Sequence, residues 1–214
     1  MNPLYRNDRP GSFPDSWYVA STDIPAERPG LRGQITADVC IVGAGYTGLS
    51  AARHLAAKGM DVVVLDAHRA GFGASGRNGG QVCSGYDHNQ TLLTKKLGAP
   101  RAKQLWALAE EAKADLRALC ADHIPEAGYK PGVMHGTYTA QGAAADQAEV
   151  DLLTQNYGYT DARVCGPDEM AEIVKSPYYH SGLLDMGAGH IHPLRYVLGL
   201  ARVAEAAGVR IFER

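Results

Sequence analysis

Along the chain, short β-branched apolar runs alternate with longer stretches in which apolar residues recur at helical spacing. Residues 38–42 (DVCIV) form one such run, ending in glycine, and residues 61–66 (DVVVLD) form another. Continuous apolar runs of this length, bounded by turn signals, predict buried strands of a parallel sheet. Between them Leu49, Ala52, Leu55 and Ala56 fall at helical spacing and Gly59 marks a stop, so a helix is expected over 46–58. Strand, glycine turn, helix and strand in succession make a βαβ unit. A glycine-heavy stretch over 71–85 comes next. It is followed by a helix over about 100–123, with Pro100 in its first turn and Leu105, Leu108, Ala112, Leu116 and Leu119 on one face. From residue 129 the pattern is mixed, with strands expected over 133–139 and 182–186 and helices over 146–156 and 167–174. Residues 194–207 are again helical, Gly208 stops them, and a new strand opens over 209–212.

This order predicts an α/β protein with a Rossmann-like domain and a partial α+β region inserted into it. Residues 1–37, rich in Pro, Gly, Asp and Arg, read as an arm anchored by Trp17, Tyr18 and Val19, or else as a frayed tail. Residues 38–124 form the first segment of the nucleotide-binding domain, 125–188 the inserted substrate region, and 189–214 a second, incomplete segment. A strand that opens where the sequence stops predicts a chain truncated at its C-terminus.

The turn between the first strand and the first helix is Gly43-Ala44-Gly45-Tyr46-Thr47-Gly48, a GxGxxG motif in the position where its mechanism requires it. Gly43 permits the tight turn, Gly45 lets a pyrophosphate approach the backbone, and Gly48 lets helix and strand pack closely. Amides of Gly45, Tyr46 and Thr47 at the start of a helix make an anion site. Asp66 closes the second strand about twenty residues beyond the motif, where a carboxylate accepts hydrogen bonds from a ribose diol and repels a 2′-phosphate. The bland alternatives are a glycine turn kept for packing and an acid that faces solvent.

Composition changes this picture little. The chain is 45% hydrophobic and 21% charged with a net charge of −2, so nothing in it indicates a nucleic-acid or anionic-membrane partner. Cys40, Cys83, Cys120 and Cys165 stand far apart, with no CxxC pair and no zinc-like spacing, so no metal site is expected. Cys40, inside an apolar run, and Cys120, on an apolar helix face, read as small hydrophobes. The N-terminus lacks a signal peptide's apolar core and no run approaches the length of a membrane span, so a cytoplasmic protein is expected.

A second glycine cluster, Gly71-Phe72-Gly73-Ala74-Ser75-Gly76-Arg77-Asn78-Gly79-Gly80-Gln81, sets five glycines among Ser, Arg, Asn and Gln. An NAD domain has no general need for a second loop of this kind, whereas the longer FAD needs further close backbone contact. With GxGxxG and a strand ending in an acid, GASGRNGGQ resembles the D-amino-acid-oxidase-like FAD oxidoreductases, and within them the gamma-glutamylputrescine oxidases. Residues 16–21 (SWYVAS), the Pro131-Gly132-Val133 segment and Gly189-His190-Ile191-His192-Pro193-Leu194 carry the resemblance along most of the chain. It departs at Asp66, where the family commonly has Glu; the carboxylate is kept.

The resemblance implies FAD as cofactor, with its pyrophosphate on the turn of Gly43, Gly45, Tyr46, Thr47 and Gly48, its ribose on Asp66, and Gly73, Ser75 and Arg77 near its phosphates. Asn78, Gly79, Gly80 and Gln81 would run along the ribityl chain and flavin edge. A guanidinium suits phosphate oxygens, although Arg77 could equally form a surface ion pair. The implied reaction oxidises a small amine to an imine, with oxygen as electron acceptor and hydrogen peroxide as product. The flavin carries that chemistry, so no catalytic residue is named. His190 and His192 invite a catalytic reading, but His192 stands before Pro193, and the structural reading, in which it shapes a helix start, is preferred. Three other readings stay open: another FAD-dependent amino-acid oxidase or dehydrogenase, an NAD-linked dehydrogenase on the same βαβ unit, and an inactive fragment.

Overall fold

A computed structural model describes residues 11–214; the first ten residues of the expected arm lie outside the described residues. In chain order the elements are α1 (Trp17–Ala20), β1 (Val39–Val42), α2 (Tyr46–Ala56), β2 (Val62–Asp66) and β3 (Gln81–Val82). Then come α3 (Gln90–Leu97), α4 (Ala99–Asp122), β4 (Lys130–Thr137), α5 (Ala140–Tyr157), β5 (Ala162–Cys165), α6 (Pro167–Val174), β6 (Ser181–His190), α7 (Pro193–Ala206) and β7 (Arg210–Glu213). Single 3-10 turns occupy Ala74–Gly76 and Pro125–Ala127. Among the described residues no helix is long and apolar enough to cross a membrane.

The chain divides into two compact units. The first comprises residues up to Gly80, Leu119–Gly128 and His192–Arg214; the second comprises Gln81–Ala118 and Tyr129–Ile191. Most of α4, which the sequence reading groups with the first segment, therefore clusters with the second unit.

In the first unit β1, β2 and β7 form a parallel sheet in that order, with Val39 opposite Val62 and Asp66 opposite Glu213. Three valines, Val62, Val63 and Val64, bury both faces of the central strand. Leu49 and Ala52 of α2 and Leu194, Val197, Leu200 and Ala201 of α7 are buried with them. Removing such side chains from water stabilises by about 1.5–3 kcal/mol each for the larger ones. β1 departs from the expected fully buried strand: Cys40 is exposed and Val42 is 86% exposed. Alternate residues of β1 are half-buried and open, because one face of this strand is uncovered among the described residues.

The described part of the arm is fastened within this unit. Ser16 caps α1 by accepting from the Val19 amide, and the rings of Trp17 and Tyr18 lie 5.3 and 5.1 Å from that of His192. Farther along, Arg28 donates from its backbone and its guanidinium to Glu213, each at 2.9 Å, and its Nε reaches Glu205 at 2.6 Å.

The second unit is built on an antiparallel sheet. β4 runs along one edge of β6, while β3 and β5 pair with the two ends of its other edge. A bulge falls between Pro131 and Val133, where Gly132 takes a φ of +96°, a conformation that favours glycine. α5 begins earlier than its apolar period suggests because Thr139 caps it, accepting from the Gly142 amide, and an alanine run continues the turn.

Candidate functional site: the glycine turn and its two loops

The turn after β1 enters α2 through Gly43 at φ +104°, a backbone region closed to most L residues. A Cβ on Gly48 would stand 2.0 Å from the Gly43 carbonyl oxygen, so this position admits no side chain while the turn keeps its shape. Gly45 is the N-cap and offers no side-chain cap, and the first turn of α2 contains no acidic residue. First-turn amides lack intrahelical acceptors, and the helix dipole there favours an anion.

Two further segments converge on this turn. Asp66, at the end of β2, accepts from the Ala44 amide through Oδ2 at 2.7 Å and from the His68 amide through Oδ1 at 2.8 Å. A carboxylate offers about four acceptor sites, so those two bonds leave capacity for sugar hydroxyls. Ser75, in the 3-10 turn, accepts from the Tyr46 amide through Oγ at 3.0 Å, and the Gly71 amide donates to the Ala44 carbonyl at 3.0 Å. The hydroxyl that the resemblance assigns to the phosphates thus stands at the mouth of α2.

The rest of the second loop is tied by its own polar groups. Asn78 Nδ2 donates to the Ala74 and Ser75 carbonyls at 3.0 and 3.1 Å and to the Tyr46 hydroxyl at 3.3 Å. Asn78 Oδ1 accepts from the Gly80 amide at 2.8 Å. The Tyr46 hydroxyl in turn donates to the Pro193 carbonyl at 3.2 Å, and burial pushes this phenol up to about 12, so it remains protonated at any ordinary pH. Arg77 donates Nε to the Phe72 carbonyl at 3.0 Å and lies over the Phe72 ring, 4.8 Å from its centroid. His68 stacks on the same ring at 3.9 Å. Gly73 and Gly79 face open space. Thr47, the second residue of α2, is exposed. Gln81 belongs to the second unit, where it opens β3 opposite His190.

The structure separates the two histidines. His190 ends β6, whereas His192 is the N-cap of α7, its Nδ1 accepting from the Arg195 amide at 3.2 Å while Nε2 lies 3.0 Å from Ser21 Oγ. Burial, reinforced by the Arg195 charge, holds its pKa below the ordinary value of 6.5. An imidazole whose Nδ1 must accept a hydrogen bond is neutral, which agrees with that direction.

Sequence reasoning missed the Ala44 amide as the first partner of Asp66, and it missed Tyr46 as more than a backbone contributor. It also missed the clasp on Glu213, which joins Arg28, Ala70 and Arg69 at 2.9, 2.9 and 3.7 Å. Partners this far apart in sequence leave no local signal; the aromatic placed inside GxGxxG could have drawn attention to Tyr46.

The family described as FAD dependent oxidoreductase matches residues 38–214. A probable oxidoreductase OrdL of Rhizobium meliloti is 38% identical over 198 residues, covering 92% of this chain and 46% of that protein. The gamma-glutamylputrescine oxidoreductase of Escherichia coli is also 38% identical, over 200 residues and the same shares. The chain therefore spans about half the length of the curated relatives it matches. Among solved structures, L-amino acid deaminase from Proteus myxofaciens in complex with anthranilate superposes with a TM-score of 0.69 at 19% identity, over 88% of this chain and 40% of that one. Glycine oxidase from Geobacillus kaustophilus gives 0.67 at 19% identity, over 83% and 46%. With βαβ unit, glycine turn and second loop in the arrangement described, and the match running from the first strand to the last, this chain belongs to the family of FAD dependent oxidoreductases.

Proposed function

We propose that the chain is the FAD-holding portion of an oxidoreductase that oxidises the C–N bond of a small amine, gamma-glutamylputrescine or a close analogue. In this reading a primary amine loses two hydrogens to become an imine, and oxygen takes them up as hydrogen peroxide. The observation that carries the cofactor part is the convergence of Asp66 and Ser75 on the Ala44 and Tyr46 amides at the mouth of α2. The amine part is supported by the name of the Escherichia coli relative and by the amino-acid deaminase and oxidase among the structural neighbours.

FAD, when bound, supplies the two-electron oxidation; the residues of this chain bind and orient it. Gly43, Gly45, Tyr46, Thr47 and Gly48 would present backbone to the pyrophosphate and Asp66 would take the ribose hydroxyls. Gly73, Ser75 and Arg77 would lie toward the phosphates, and Asn78, Gly79, Gly80 and Gln81 toward the ribityl chain and flavin. The Tyr46 phenol and Asn78 amide, bonded to each other, would keep the second loop close to the turn. The inserted antiparallel unit is read as part of the substrate region. The reading places the protein in the cytoplasm, in keeping with four unpaired cysteines.

Titrating the purified chain with FAD and following flavin absorbance tests the cofactor part: saturable binding that Asp66→Ala weakens is expected, and a folded chain that takes up no FAD overturns it. A peroxide assay with gamma-glutamylputrescine on the protein carrying FAD tests the substrate part. Peroxide from other small amines but not from this one would move the substrate within the class.

A further inference from the structure

Tyr46 acts at the mouth of α2 in two separate ways. Its amide belongs to the glycine turn and donates to Ser75 Oγ at 3.0 Å. Its side chain leaves the turn and joins two segments remote from it in sequence. The hydroxyl donates to the carbonyl of Pro193, the first residue of α7, at 3.2 Å and accepts from Asn78 Nδ2 at 3.3 Å. A phenol has one proton to give, so the pair of bonds fixes its direction, proton toward α7 and lone pair toward the loop. The ring stands edge-on to that of Tyr196, with centroids 5.4 Å apart. A GxGxxG turn works through its backbone and asks none of this from the side chain at position 46.

The second loop meets α7 differently at its two ends. Its first half lies directly on the helix through glycines: a Cβ on Gly71 would stand 2.3 Å from Val197 Cγ1, and one on Gly76 would stand 3.0 Å from Leu194 Cδ1. Past Gly76, side-chain bonds take over. Asn78 holds the Ala74 and Ser75 carbonyls and the Gly80 amide, all within the loop. Among the described residues the Tyr46 hydroxyl is the one hydrogen-bond partner of the Asn78 side chain outside the loop. The later half of the loop is thus tethered to α7 by way of one phenol.

We infer that Tyr46 is a positioning residue whose hydroxyl, through Asn78, sets where residues 77–80 lie. Its side chain then serves the flavin half of FAD, while the backbone of the turn and Asp66 serve the adenosine half. The inference rests on the FAD reading above and deepens it. Without the hydroxyl the bonds inside the loop remain but the tether is gone. A loop that must be ordered during binding reduces affinity by its competent fraction. That loss falls on a ligand that reaches the loop and spares one that stops at the pyrophosphate.

Tyr46→Phe tests this with three readouts. In the chain without FAD, hydrogen–deuterium exchange of residues 77–80 should quicken about tenfold while residues 43–48 and α7 keep their protection. FAD affinity should fall about tenfold, with ADP affinity held within about twofold. The visible circular dichroism of bound flavin should change, because the ring sits differently. In an Asn78→Ala background the same substitution should cost no further FAD affinity, since the bond is already absent. Unchanged exchange over 77–80, or equal losses for FAD and ADP, would overturn the inference and leave the cofactor reading standing. A wild-type chain that binds neither ligand overturns the cofactor reading, while the exchange result still decides whether Tyr46 holds the loop.

Discussion

Glu213 is 1% exposed, and the burial of its polar oxygens depends on its partners. The Arg28 guanidinium and amide and the Ala70 amide all donate to it at 2.9 Å. Removing one side of a buried ion pair costs about 3–5 kcal/mol because the other side is stranded. Glu213→Ala should therefore lower the unfolding free energy of the first unit by about 3 kcal/mol, measured by denaturant titration. Retention of Glu205 opposite Arg28 keeps the loss from being larger. His192 gives a prediction of a different kind. Its pKa in the folded chain lies below 6.5, so the unfolded chain binds the proton first. Stability is thus fully present above pH 6.5 and falls as pH drops through 6.5 toward the folded value. His192→Asn, which retains an N-cap acceptor, should flatten that slope, whereas His192→Ala should cost about 1 kcal/mol at neutral pH. Unfolding curves taken between pH 5 and 8 would show both.

At the scale of elements, α2 depends on a cap borrowed from another loop. Ser75→Ala removes the acceptor of the Tyr46 amide and should cost about 1 kcal/mol of stability, with a matching loss of FAD affinity read from flavin absorbance. Gly48→Ala should abolish binding outright, since its Cβ would lie 2.0 Å from the Gly43 carbonyl oxygen. Both strands of the βαβ unit, the glycine turn and α7 were legible in the sequence because period, glycine and capping signals agree there. α3 escaped because its eight residues hold only three leucines and no sustained apolar period, and its start rests on Asn89 and on Glu149 from a distant helix. β5 escaped because its four residues carry an arginine and no clear alternation. The expected strand over 182–186 continues to His190, since Gly187, Ala188 and Gly189 are apolar enough to be buried but too small to register as a β signal. In the site, Gly43 to Gly48 and Asp66 were readable from spacing. The Asn78–Tyr46 bond and the Arg77–Phe72 stack were not, because loop side chains choose their partners only once the loop is closed.

For the whole molecule, the open face of β1 has a measurable consequence. Val42 at 86% exposure beside an exposed Cys40 makes an apolar strip on a sheet. The chain should bind an apolar fluorescent dye while folded, and Val42→Lys should reduce that signal without changing FAD affinity. An equal signal from the variant would place the dye elsewhere.

The clasp between Arg28 and Glu213 spans 185 positions of sequence. Every residue of the second unit lies inside that span, as two uninterrupted stretches, while the first unit is made of three pieces that bracket them. During synthesis both stretches of the second unit therefore emerge before β7 does. β2 gains its second parallel neighbour only when β7 arrives, and with β7 comes the Glu213 that fastens the arm. Docking of the arm through Arg28 is accordingly a late event in the synthesis of this chain.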